Sequence, residues 1–331
     1  MDNKIDIVIT WVDGNDPKWL KERDKYRTKD LSKDSIGDYR FRDWGTLKYW
    51  FRSVEENTNF VRNIYFVTWG HVPEWLNTNH PQLKIINHSD FIPKEYLPTY
   101  NSVAIELNFH RIPGLGKKFI YFNDDVILLQ KTTLADYFGK NGKIKYNFIE
   151  SNMASTGDLD PVFRRMLINT IDIINRNFKK NRLKNLTLKD PITLYNNLKA
   201  FLKPTYVGYA PHHFSKVLDQ SAYYWLWQNE PKAAKVTCKS KFRNEKNITP
   251  DTLELIQFQH GLTQYYNSTK REKLFNLSER SISEVCEAIQ KRQYKEICFN
   301  DLCPDSEFES VRKKLIAAFE QIYPNKSQYE V

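Results

Sequence analysis

Two apolar runs of β-forming residues end in acidic side chains. Lys117-Lys118-Phe119-Ile120-Tyr121-Phe122-Asn123-Asp124-Asp125-Val126 closes on adjacent carboxylates, and Ile5-Asp6-Ile7-Val8-Ile9-Thr10-Trp11-Val12 leads into Asp13-Gly14-Asn15-Asp16. A buried strand has no use for paired carboxylates at its exit unless their charge is offset, and a divalent cation chelating a phosphorylated ligand offsets it. Neighbouring residues of a strand point to opposite faces, so only the exit turn lets Asp124 and Asp125 reach one site. The competing reading of Asn123 and Asp124 is an ordinary turn or helix cap. The second acidic exit weighs against it, and together the two predict one polar site where the carboxyl ends of strands in an open α/β sheet bind ligands.

Other residues could complete such a site. His212 follows Pro211 in a stretch of few charges, and an imidazole beside a substrate hydroxyl can take its proton as attack proceeds. Its neighbour His213 is expected to point elsewhere. Arg243 in Ser240-Lys241-Phe242-Arg243-Asn244, and Arg40 and Arg42 in Arg40-Phe41-Arg42, stand beside aromatics. Guanidinium groups grip phosphate oxygens at two points and stay charged at any working pH. There is no Walker-type loop, and Gly114-Leu115-Gly116 precedes its strand instead of following it, which argues against a P-loop kinase or a Rossmann dehydrogenase. No serine nucleophile elbow is present.

The elements that must hold these residues alternate between strand and helix. Apolar positions 47, 50, 51 and 54 follow helical spacing, strands are predicted at Ile64–Thr68 and Leu83–Ile86, and a helix at Ser102–Phe109 feeds the strand that carries the paired acids. Alternation of this kind predicts an α/β fold with a mainly parallel, doubly wound sheet over residues 1–130. Residues 15–40 read as a charged loop with a short helix near Trp19–Tyr26. Residues 131–204 read as a helical insertion with a basic face, since Arg176–Lys199 holds seven Lys or Arg against Asp190 alone. That face, including Lys179, Lys180 and Lys184, is either solvated surface or a dock for an anionic acceptor or lipid headgroups. Residues 205–331 are expected to close the catalytic domain, ending in a helix opened by a Ser306-x-x-Glu309 capping box.

Composition bounds the rest. At 331 residues and 40% hydrophobic content the chain has ample material for a core. A net charge of +10 favours anionic partners without choosing among them. Cys238, Cys286, Cys298 and Cys303 lack the companions of a zinc site and read as reduced thiols. No apolar run approaches bilayer length and no signal-like segment opens the chain, so the expected location is cytoplasmic, with peripheral contact at the inner face of the membrane.

Taken together, these segments resemble the Stealth family of sugar-phosphate transferases. That family makes microbial capsular polysaccharides and exopolysaccharides and includes the catalytic subunit of N-acetylglucosamine-1-phosphotransferase. Ile7–Gly14 is similar to its first region, and Arg40–Asp43, Leu47–Glu55 and Val61–Thr68 through Phe119–Val126 to its second. Pro211-His212 with Phe242-Arg243 is similar to the third, Phe299-Asn300-Asp301 to the fourth, and Pro324–Glu330 to the family's ending. Tyr209-Ala210-Pro211 departs from a form with His before the Pro, which leaves open whether His212 or Asp124 is the base. The resemblance implies transfer of a sugar 1-phosphate from a nucleotide sugar, UDP-hexose or UDP-N-acetylhexosamine, to a glycan hydroxyl, with Mg²⁺ or Mn²⁺. On that resemblance Asp124, Asp125, His212 and Arg243 are catalytic, and Asp125, Asp301 and Asn300 hold the metal. Trp11, Asp13, Gly14, Arg40, Arg42, Arg52 and Glu106 contact the donor. The rival is a metal-dependent glycosyltransferase that releases nucleoside diphosphate. A nucleic-acid binder would explain the charge but not acids at two strand ends, which repel phosphates.

Overall fold

A computed structural model describes residues 4–28, 36–151, 161–183, 191–266 and 271–331. In chain order the strands are β1 (Ile5–Trp11), β2 (Val61–Thr68), β3 (Leu83–Asn87), β4 (Lys118–Phe122), β5 (Val126–Leu128), β6 (Ile144–Tyr146), β7 (Lys216–Asp219), β8 (Thr263–Tyr265), β9 (Glu272–Leu277) and β10 (Glu296–Asp301). The central sheet has the order β3-β2-β1-β4-β7. Its first four strands are parallel and β7 runs antiparallel at the edge. The expected mainly parallel α/β sheet is present, with its last strand drawn from well beyond residue 130.

Apolar alternation explains how both faces are covered. Ile7 and Ile9 pack into one cluster with Trp50, Phe51, Phe66 and Phe122, while Val8 packs into another with Tyr65, Phe109, Phe119 and Tyr121. The helix Leu47–Asn57 supplies the first face, and Trp50 meets Phe122 edge-on with ring centroids 5.6 Å apart. The second face is closed by the short helix Ser102–Glu106 and the turn behind it, where the Phe109 ring lies 5.0 Å from that of Tyr121.

The acidic run is not one continuous strand. β4 stops at Phe122, residues 123–125 turn, and β5 leaves the central sheet to pair antiparallel with β10 in a second sheet of order β5-β10-β9. The paired acids therefore occupy the junction of two sheets. A third, two-stranded sheet joins β6 to β8.

The region 131–204 contains the helices Pro161–Asn177 and Pro191–Phe201 among its described residues. Part of its basic charge is already paired, since exposed Arg176 meets Glu230 at 2.9 Å and buried Lys180 meets Glu150 at 2.8 Å. Lys184 and Asp190 lie outside the described residues, as do residues 29–35 of the expected loop. The capping box at Ser306 does not form. The last helix, Phe308–Ile322, starts after Glu307, no side chain caps it, and the Glu307 carboxylate instead accepts a hydrogen bond from the Glu279 amide. All four cysteines are free thiols.

Candidate active site

A cleft of about 420 Å³ opens at the carboxyl ends of β1 and β4, within the usual range for ligand sites. Because β1 and β4 are parallel neighbours, their exits share one edge, and this brings Trp11 beside Asp124 and Asp125. The acidic turn is braced from below. The Thr10 and Tyr121 hydroxyls lie 3.1 Å apart, Tyr121 donates to the Asn123 side chain at 2.5 Å, and the Phe299 amide donates to the Asp125 carbonyl at 3.1 Å.

The carboxylates themselves are poorly satisfied. Asp125 Oδ1 is buried with no hydrogen-bond partner. Burial, then repulsion from Asp124, holds the Asp125 carboxyl well above the usual range, against the pull of Arg243. Burial and the charge of Asp43 raise Asp124 in the same way. Glu106, on the cleft floor, is pushed up to about 7 by burial, and its Oε2 is also unpartnered. Among the described residues no three His, Cys, Asp or Glu side chains converge to hold a metal unaided. Mg²⁺, however, is commonly held by one or two carboxylates plus substrate phosphates, and an orphaned buried carboxylate beside a second one fits that half-site.

Cations line the same cleft. Arg243 lines the cleft, donates to the Ser102 hydroxyl at 2.6 Å and acts electrostatically on both Glu106 and Asp125. His212 Nε2 lies 3.2 Å from Glu272, and its Nδ1 lies 3.7 Å from Glu254. Burial disfavours the charged ring, but these two carboxylates outweigh it and lift His212 to about 10, so it is an imidazolium at neutral pH. Lys216, buried in β7, pairs with Glu254 at 3.3 Å and reaches the same cleft. His213 lines the cleft as well. Desolvation, with the charges of Lys216, His212 and Arg243, lowers its pKa below 6.5 and leaves it a neutral base.

The family model for Stealth protein CR1, conserved region 1, matches residues 3–30, and that for Stealth protein CR2, conserved region 2, matches residues 40–146, including the acidic turn. Over 346 residues and the whole of both chains, this chain is 34% identical to a capsular polysaccharide phosphotransferase, WcwK, of Streptococcus pneumoniae. The chain is a Stealth-family protein. It is also 32% identical to the receptor polysaccharide phosphotransferase WefC of Streptococcus oralis, over 99% of this chain and all of that one. To the exopolysaccharide phosphotransferase cps2G of Lactiplantibacillus plantarum it is 31% identical, over 98% and 96% of the two chains. Among solved structures, the galactosyltransferase LgtC in complex with donor and acceptor sugar analogues is a distant likeness, with 11% identity and a TM-score of 0.39 over 95% of this chain and 96% of that one. The Stealth protein is thus an enzyme of a phosphotransferase family.

Not every residue expected at the Stealth protein's site reaches it. Asp124, Asp125, His212, Arg243, Trp11, Arg40, Arg42, Glu106, Asn300 and Asp301 line the cleft. Arg52 does not. Its guanidinium is buried under the C-terminal segment, donating to both Glu330 oxygens at 2.8 Å and to the Tyr323 carbonyl at 2.7 Å. Asp13 folds into its own turn, accepting from the Asn15 amide at 2.9 Å. Gly14 acts by having no side chain, because a Cβ there would sit 1.7 Å from the Phe41 carbonyl oxygen. Its role is to let the Arg40–Arg42 loop press against the β1 exit. Asp301 is a poor metal ligand as it stands, since Arg42 grips both its oxygens at 2.7 and 3.0 Å, while Trp44 and the Cys303 amide add further donors. Asn300 donates to Asn276 at 3.0 Å.

Sequence reasoning missed four groups. His213 faces the cleft instead of turning away, and Asp43 perturbs Asp124. Lys216 and Glu254 form the buried pair behind His212. The signal for the last two was available: a lysine inside the apolar run Phe214–Leu218, and Asp251 and Glu254 at i, i+3 in a helix whose other residues are mostly apolar.

Proposed function

We propose that this enzyme transfers a sugar 1-phosphate from a nucleotide sugar, a UDP-hexose or UDP-N-acetylhexosamine, to a glycan hydroxyl in capsule or exopolysaccharide synthesis. The acceptor oxygen bonds to the phosphorus next to the sugar, the bond between that phosphorus and the bridging anhydride oxygen breaks, and nucleoside monophosphate leaves with the electron pair. The observation that carries this reading is the unpartnered buried oxygen of Asp125 beside Asp124, in a cleft that Arg243, His212 and Lys216 also line. Such an arrangement suits a dianionic pyrophosphate with its counter-ion.

Asp124 and Asp125 would hold Mg²⁺ or Mn²⁺, with donor phosphates filling the remaining positions. When bound, the cation neutralises charge on the pyrophosphate. Arg243 and the imidazolium of His212 stabilise the charge that gathers on the equatorial oxygens, the dominant demand of phosphoryl transfer. His213, neutral at working pH, takes the acceptor proton. The electrostatics support it over His212, which is already protonated, and Asp124 serves better as a ligand. The Trp11 ring and the arginines Arg40 and Arg42 border the donor's remainder.

Incubation with a panel of nucleotide sugars, Mg²⁺ and acceptor glycan, followed by nucleotide chromatography and phosphorus NMR of the polymer, tests the proposal. Nucleoside monophosphate and a phosphodiester are expected. Nucleoside diphosphate with no phosphorus in the product would make the enzyme a glycosyltransferase attacking the anomeric carbon.

A further inference from the structure

The helix Pro191–Phe201 turns large apolar side chains toward solvent. A surface helix ordinarily turns its apolar stripe to the core. Here the buried face is Thr193, Asn197 and Ala200, and the large apolar side chains Tyr195 and Leu198 are 59% and 50% exposed. The polar contacts of the inner face fix that orientation: the Asn197 side-chain oxygen accepts from the Glu150 amide at 2.7 Å, and the Asn147 amide donates to the Thr193 hydroxyl at 3.4 Å. Rotating the helix to hide Tyr195 and Leu198 would break these bonds. Leu202, one step past the helix and in register with Tyr195 and Leu198, is 81% exposed.

A second segment enlarges the patch. Lys180 donates to the Ala200 carbonyl at 2.8 Å and Arg182 lies over the Phe201 ring, so residues 180–183 sit against the end of this helix. They place Leu183, 75% exposed, beside the end of that helix. Exposed Lys179, Arg182, Lys199 and Lys203 fringe the leucines, and no acid occurs among the described residues 177–183 and 191–205.

We infer that this face docks on the surface of an anionic lipid bilayer, with Leu183, Leu198 and Leu202 at the acyl boundary, Tyr195 among the headgroups and the four cations on lipid phosphates. Apolar side chains ringed by Lys and Arg are the composition an interfacial helix needs. A soluble polyanion would use the cations but leave the leucines in water. A second copy meeting this one about a two-fold axis would bring the basic fringe against itself. The attachment is peripheral, since among the described residues no helix is long and apolar enough to cross a membrane.

The test is co-sedimentation with vesicles of phosphatidylcholine containing about one third phosphatidylglycerol. Wild type should pellet with these vesicles, less so as salt rises, and remain in solution with pure phosphatidylcholine. L198Q/L202Q and, separately, K199E/K203E should weaken partitioning by about tenfold or more, with donor hydrolysis in solution unchanged. Failure of wild type to pellet, or undiminished pelleting of both variants, would overturn the inference. So would vesicle-free dimerisation of wild type that L198Q/L202Q abolishes, because that outcome assigns the face to a second copy.

Discussion

Glu272→Gln is the substitution that separates the two histidines. His212 rises from 6.5 to about 10 because Glu272 at 3.2 Å and Glu254 at 3.7 Å outweigh its burial. At about 1.4 kcal/mol per unit, the imidazolium is favoured by roughly 5 kcal/mol, and loss of the nearer carboxylate should remove about half of that. His212 in the variant should then titrate near pH 8. The folded pKa is raised, so the stability this ring contributes is complete below about 6.5 and is lost as pH rises through the folded value. In wild type that loss ends near pH 10, and in the variant it should end about two units earlier. Activity should follow the same groups, rising as His213 deprotonates below 6.5 and falling as His212 loses its charge. Nitrogen-15 NMR of the imidazoles gives the pKa, and a pH–rate profile gives its use. An unmoved alkaline limb in the variant would show that the His212 charge does not serve the reaction, and a wild-type His212 titrating near 6.5 would refute the electrostatic argument itself.

Two further outcomes are expected. Asp125→Asn should nearly abolish transfer yet remove the wild type's decline in stability as pH rises from about 4 toward the raised folded pKa, because the amide has no charge to bury; Mg²⁺ added with UDP should raise the melting temperature of wild type above that with UDP alone and not that of this variant, and equal Mg²⁺ responses would remove Asp125 from the metal site. Arg52→Ala should cost about 3–5 kcal/mol in urea unfolding by stranding the buried Glu330 carboxylate, with KM for the donor unchanged in the folded fraction; a raised KM would return Arg52 to the donor site.

The acidic exits of β1 and β4 were readable because a strand interrupted by carboxylates is a local pattern, and so was the alternation that makes the sheet parallel. Arg52 misled because a guanidinium in an amphipathic helix looks the same whether it meets phosphate or Glu330, 278 residues away in the chain. Arg42 and Asp301 were each read as ligand contacts, but the fold joins them, and each answers the other's charge. The proposal of His213 as the base, where the sequence offered His212 or Asp124, depends on Glu254 and Glu272, which only tertiary structure brings to the His212 ring. Likewise the basic stretch after Arg176 reads as uniform charge, although Lys180 is a buried structural cation whose reversal would strike at Glu150 and not at any acceptor.

The junction at Asn123–Asp125 also governs how this chain can vary in length. Surface loops ordinarily absorb insertions, since their ends have slack. Here Phe122 is locked in register with Ile9 on one side of the turn, while Val126 is locked opposite Cys298 on the other. One added or deleted residue would force a slip in one sheet or the other and swing each buried side chain of the slipped strand into the opposite packed face. The three-residue spacer is therefore a fixed gauge between two sheets, and indel scanning should find this turn intolerant where the Lys140–Asn141 hairpin tip, exposed and free of such double registry, accepts extra residues.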